Sequence, residues 1–168
     1  MCKKQILRAL FFLVLPLFGF GQTFGLPDGQ KHEKVKFQLI NNLVIVPIEV
    51  NGTPLSFVLD TGVSTPILFN ISDKDSIQIN EVSEITIQGL GEGEPIQALR
   101  SRNNSFKLGS IENNLQSLYV VLDKSLNFSP SLGIPIHGII GYDLFRDFVV
   151  EMNYFSRNIK FHDSEYYQ

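Results

Sequence analysis

Residues 59–65 read Leu-Asp-Thr-Gly-Val-Ser-Thr and place a carboxylate, a hydroxyl and a side-chain-free backbone in immediate succession. Asp60 ends an apolar run, Ser56-Phe57-Val58-Leu59. An ionised carboxylate beside such a run is costly unless something pairs with it or uses it. Gly62 lets backbone approach the carboxyl oxygens, and Thr61 adds a hydroxyl that can orient them. This layout can hold a carboxylate against a water molecule. Asp-Thr-Gly is also a common turn-capping tripeptide, so its surroundings must supply the specificity.

Rival chemistries find less support. His32, His137 and His162 are scattered, without two ligands spaced for one helix face, so no metal site is expected. His137 precedes Gly138-Ile-Ile-Gly141 and reads as a surface-loop histidine. Ser64 and Ser131 lack a plausible histidine and acid, and the lone cysteine, Cys2, precedes the mature chain described next. Asp143 reads as a helix-start charge, and Asp147 as a partner for Arg146 or a neighbour. No cofactor motif is present. The Gly-rich stretch Gly89-Leu-Gly-Glu-Gly93 lacks the following helix N-terminus and lysine of a phosphate loop, and Glu92 and Glu94 read as solvated charges.

The chain has 168 residues, 43% hydrophobic and 18% charged, with 14 Phe. Those figures fit one domain with ample core material. The net charge of −3 comes without a basic run, which argues against a nucleic-acid partner. Residues 1–21 read as a signal peptide. Lys3, Lys4 and Arg8 precede an apolar stretch too short to span a bilayer, and Gly19 and Gly21 are suited to cleavage before Gln22. The expected mature protein is exported, periplasmic or secreted, carries a formal charge of −6 and keeps no membrane span.

The elements that must position Asp60 are mostly strands. Residues 22–34 read as an N-terminal loop and 35–168 as one domain. Val35–Ile40 alternates as a half-buried strand, and Leu43–Val50 is a second, with Pro47 at an edge or irregularity. Asn51-Gly52 signals a hairpin whose returning arm, Leu55–Leu59, delivers Asp60 to a strand end. Pro66–Phe69 continues the β pattern. Ile85–Gln88 and Pro95–Arg100 are the arms of a hairpin tipped by Gly89, Leu90, Gly91 and Gly93. Phe106–Leu108 and Leu118–Leu122 are further strands, and 123–131 is a loop. Tyr142–Phe148 fits a two-turn helix, followed by a closing hairpin of Phe148–Met152 with Asn158–Phe161.

An apolar strand ending in Leu59-Asp60-Thr61-Gly62, a glycine-tipped hairpin, then Ile139-Ile140-Gly141 before a short helix: this order resembles the retropepsin-like aspartic proteases, more closely their exported bacterial branch. The resemblance covers roughly residues 43–163. It implies a mostly β, closed-barrel acid-protease fold with a flap hairpin and one short C-terminal helix. It implies that Asp60 is catalytic and that Thr61 fixes the two carboxylate loops across a dimer. By the same resemblance Gly62 and Ser64 support the site, Gly89 to Gly93 form the flap, and Ile139, Ile140 and Gly141 are a structural turn beneath the active-site loop. Val63 departs from the Ala or Ser usual after the glycine.

Hydrolysis of a peptide bond by acid–base chemistry alone needs two carboxyl groups sharing a proton. One Asp-Thr-Gly per chain therefore calls for a second copy, which a two-fold homodimer supplies. The expected activity is that of an aspartic endopeptidase acting on peptide or protein substrates. The contrasting expectation is a non-catalytic peptide-binding module that keeps the fold.

Overall fold

The computed structural model describes residues 23–71, 77–87, 95–123 and 127–167. Eleven strands and two short helices follow in the order β1 His32–Lys36, β2 Gln38–Ile40, β3 Leu43–Val50, β4 Thr53–Asp60, β5 Ile67–Leu68, β6 Ser83–Ile87, β7 Ile96–Leu108, β8 Ile111–Val121, α1 Ser129–Leu132, β9 Gly138–Gly141, α2 Tyr142–Asp147, β10 Phe148–Asn153 and β11 Asn158–Asp163. The larger sheet runs β2-β3-β4-β9-β5-β8-β7-β6, and a further pairing of β3 with β7 closes its six central strands into a barrel. Closure removes the open edges that strands would otherwise expose. A second sheet, β1-β11-β10, joins the two ends of the described chain.

The β3–β4 hairpin turns at Asn51 (φ 49°) and Gly52 (φ 84°), the doubly positive geometry that Asn-Gly favours. Pro47 pairs with Ser56 of β4. On its other side β2 reaches only to Ile45 and β7 begins at Glu49, so its missing N–H falls in a gap between partners. Alternation sends Val46, Ile48, Val50, Leu55 and Phe57 into the barrel, where they meet Leu68, Phe106, Leu118, Val120 and Ile140. The rings of Phe57 and Phe106 pack edge-to-face at 6.1 Å. Each fully buried side chain of this size contributes about 1.5–3 kcal/mol.

Several sequence expectations are revised. Val35–Ile40 is not one strand: it breaks at Phe37 because β1 pairs with β11 and β2 with β3. The Phe37 N–H instead donates to the Arg157 carbonyl at 3.0 Å. Strand structure starts at His32, inside the expected N-terminal loop, and Gly25 forms a two-way backbone bridge with Glu112. Phe106–Leu108 and Leu118–Leu122 prove to be parts of one long hairpin, β7–β8. Its middle escaped the alternation pattern because Ser101, Asn104, Asn113 and Gln116 are buried there. Ile139-Ile140-Gly141 lies in a strand, β9, and a second short helix, α1, begins inside the expected loop 123–131 and runs to Leu132.

The buried polar residues satisfy one another. Asn104 Oδ1 accepts from Asn51 Nδ2 (2.8 Å) and the Asn80 N–H (3.1 Å), while its Nδ2 donates to Ser101 Oγ (2.8 Å) and the Gln116 carbonyl (3.3 Å). Asn113 Nδ2 donates to Gln116 Oε1 (2.7 Å), and Gln116 Nε2 to Asp143 Oδ2 (2.8 Å). The amide of Asn104 has no unfilled hydrogen-bonding position, which makes its burial affordable.

Candidate active site

Asp60 is the last residue of β4 and is exposed. Its strand runs parallel to β9, with Leu59 opposite Ile140 and Asp60 opposite Gly141. Strand and turn are fixed by a chain of backbone bonds: the Val63 N–H donates to the Asp60 carbonyl (3.1 Å), and the Tyr142 N–H to the Val63 carbonyl (3.0 Å). The carboxyl oxygen Oδ1 accepts from the Gly62 N–H at 2.9 Å. Among the described residues Oδ2 has no hydrogen-bond donor. One oxygen is thus oriented and the other is open to solvent.

The glycines explain why these residue types are needed. A Cβ on Gly141 would collide with the backbone carbonyl of Asp60, and one on Gly138 with the Ile67 carbonyl and the Phe57 ring. A Cβ on Gly62 would lie 3.2 Å from Asp60 Oδ1, crowding the approach that lets its amide donate. Thr61 and Ser64 are exposed beside Asp60, and Val63 is half-buried. The departure at Val63 leaves its backbone bonds in place.

The two isoleucines of β9 divide by alternation. Ile140 is fully buried in the barrel, whereas Ile139 is half-buried in a second apolar cluster on the outer face with Val58 and Ile67. That cluster continues through Ala98 and Val121 to the half-buried Ile85, Ile87 and Ile96 on the arms of the β6–β7 hairpin. Asp60, two residues after Val58, therefore stands at the end of a face lined by isoleucine and valine. The arms of the glycine-tipped hairpin pair in register from Ser83↔Arg100 to Ile87↔Ile96. Its tip, with Gly89, Leu90, Gly91 and Gly93, lies outside the described residues, as do the expected signal peptide and Cys2.

His137 is not a surface-loop residue but a half-buried clamp. Its N–H donates to the Ser56 carbonyl (2.9 Å), its Nδ1 accepts from the Ser56 N–H (3.1 Å), and its carbonyl accepts from the Phe69 N–H (2.8 Å). Asp143 in the first turn of α2 accepts from Gln116 and lies 3.3 Å from Arg146. Asp147 pairs with Arg146 at 2.7 Å and also accepts from the Phe24 N–H at 2.8 Å, a link that sequence spacing did not reveal. Asp147 holds the Arg146 guanidinium above its ordinary pKa, chiefly through that hydrogen bond. The described residues hold no group of three or more His, Cys, Asp or Glu able to bind a metal, and no helix long and apolar enough to cross a membrane.

Comparison with known proteins adds to this geometry. Residues 46–144, from inside β3 to inside α2, match the model of a family described as aspartyl protease. Among solved structures, a retropepsin-like aspartic protease from Rickettsia conorii shares the fold with a TM-score of 0.52 at 14% identity, over 86% of this chain and 96% of that one. A comparison with curated proteins gave no match.

Proposed function

The chain belongs to the aspartyl protease family and has a retropepsin-like fold, and on that premise we propose that it is an aspartic endopeptidase working as a homodimer, with one Asp60 from each protomer. The observation that carries this reading is the exposed Asp60 carboxylate, with Oδ1 held by the Gly62 amide and Oδ2 open. Two such groups face to face across a two-fold axis cannot both ionise, so they share a proton. The ionised member takes a proton from a water molecule as that water attacks the scissile carbonyl. The protonated member donates to the developing oxyanion and then to the leaving nitrogen. Thr61 and Ser64 stand beside the carboxylate where a hydroxyl can tie one active-site loop to its twin.

An extended peptide would lie along the face that runs from Ile139 and Ile67 toward the β6–β7 arms, with the glycine-tipped segment 89–93 closing over it. Half-buried isoleucines favour apolar side chains in its pockets. The edges of the β1-β11-β10 sheet, β1 and β10, give a second copy backbone groups to pair with. Residues 1–21 would act as a cleaved export signal that delivers the enzyme to the periplasm or outside the cell.

The test compares wild type with Asp60→Asn on casein and on a peptide library, with sedimentation run in parallel. The reading requires cleavage that Asp60→Asn abolishes and a sedimenting dimer. Peptide binding without cleavage in the wild type would identify a non-catalytic module instead, and a monomer at all workable concentrations would remove the second carboxylate.

A further inference from the structure

Arg100 lies on the same face of the sheet as Asp60. Directly paired residues of neighbouring strands share a face. The register gives one continuous row: Val58 of β4, Ile139 of β9, Ile67 of β5, Tyr119 of β8, Arg100 of β7 and Ser83 of β6. Packing gives the same answer. Ala98, two residues before Arg100, and Val121, two after Tyr119, belong to the outer apolar cluster that holds Val58, Ile67 and Ile139. Asp60 is the next residue on that face of β4.

Arg100 is half-buried, and its Nε is covered from solvent with no hydrogen-bond partner. The ion pairs among the described residues do not include it. A half-buried guanidinium beside Tyr119 and Ser83, on a face that continues into isoleucine, valine and alanine, is a specificity element rather than a solvated charge. Its planar fork matches a carboxylate, and such charge-assisted pairs are the strong hydrogen bonds. Four strand spacings of about 4.8 Å separate Val58 from Arg100, or about 19 Å along the sheet, the length of about six residues of extended peptide.

We infer that Arg100 recruits a carboxylate of the substrate, at a position up to about six residues from the bond that Asp60 cleaves. The inference rests on the reading of this face as the peptide-binding face. The carboxylate is supplied by a Glu or Asp side chain or by the free C-terminus of a short peptide.

The test uses matched peptides that carry Glu or Gln at each position around the cleaved bond, each made with a free and an amidated C-terminus. Cleavage is followed by mass spectrometry in wild type, Arg100→Gln and Arg100→Lys. Binding of the same peptides is measured by fluorescence anisotropy in Asp60→Asn, with and without each Arg100 substitution. The expected result is a preference of roughly 10- to 100-fold for the acid at one position, the range of a charge-assisted hydrogen bond. That ratio should fall to about one in Arg100→Gln and be partly kept in Arg100→Lys. Dependence on Glu identifies a side chain, and dependence on the free acid identifies the terminus. A ratio near one in wild type, or an acid preference that survives Arg100→Gln, overturns the assignment. Should Arg100→Gln fail to fold by circular dichroism, the Lys variant decides, because preservation of charge without the fork must weaken the preference. If nothing is cleaved yet Asp60→Asn binds acid-bearing peptides through Arg100, the catalytic reading falls and this one stands. If no peptide is either cleaved or bound, both fall.

Discussion

The two ends of β4 handle polar groups in opposite ways. At the Asn51 end, side-chain amides and backbone groups of Asn51, Asn80, Ser101 and Gln116 converge on the buried Asn104, which fills every bonding position it has. At the Asp60 end the carboxylate is exposed, takes one amide hydrogen bond and keeps an oxygen open. The contrast separates polarity that specifies a structure from polarity left open to solvent. A saturated network cannot donate or accept anything more without breaking. A half-satisfied carboxylate held by rigid backbone can.

Substitutions at each end should reveal the difference in different observables. The largest effect is expected for Asp60→Asn, which should cut peptide cleavage by about 100-fold to 10,000-fold while shifting the thermal midpoint little, because the side chain is exposed. A large loss of stability would mean that Asp60 belongs with the structural end. Next is Gly141→Ala, whose new methyl would meet the Asp60 carbonyl with no flexible neighbour to yield. A loss of about 4 kcal/mol or more, read by urea unfolding, is expected, and a soluble variant of normal stability would break the argument from close approach. Asn104→Ala strands four partners, Asn51, Asn80, Ser101 and Gln116, and should cost about 2–3 kcal/mol. If the network is only structural, the folded variant should cleave peptides at an unchanged rate per folded molecule.

The smallest effect concerns an exposed pair that belongs to neither end. Lys107 lies 2.8 Å from Glu112, and its ammonium is held above the ordinary lysine value, first by that hydrogen bond and then by the charge of Glu112. A raised folded-state pKa means that the contribution is complete below the unfolded lysine value and disappears only as pH climbs past the folded one. Lys107→Met should therefore remove a small contribution already at neutral pH, and with it the weak loss of stability that the wild type shows as pH climbs past the folded lysine value. A clear loss of stability at pH 7 would show that this hairpin pair matters more than its exposure allows.

The legibility of the chain follows the same division. The β3–β4 hairpin could be read because Asn-Gly is a local conformational demand, and β3 and β4 because one of their faces is apolar at every second residue. The middle of β7–β8 could not, since Asn104 and Gln116 point inward yet are polar, and only their partners from Asn51, Asn80 and Asp143 make that tolerable. The break at Phe37 was hidden for a related reason: the residues on either side alternate continuously, and only the choice of different partner strands divides them. His137 carries no local signal at all for its bonds to Ser56, because the two residues meet through the fold.

The order Asp60-Thr61-Gly62, the glycine-tipped hairpin and Ile139-Ile140-Gly141 by itself determined the family and the residues to examine. Those are short-range requirements of chemistry and turn geometry, written in consecutive residue types. Only the tertiary structure decided that Gly141 lies against the backbone of Asp60, that Ile139 and Ile140 serve opposite faces, and that Arg100 shares a face with the carboxylate. Each of these depends on which strands become neighbours and in what register, and that choice is settled by the packing of the whole barrel rather than by any stretch of sequence.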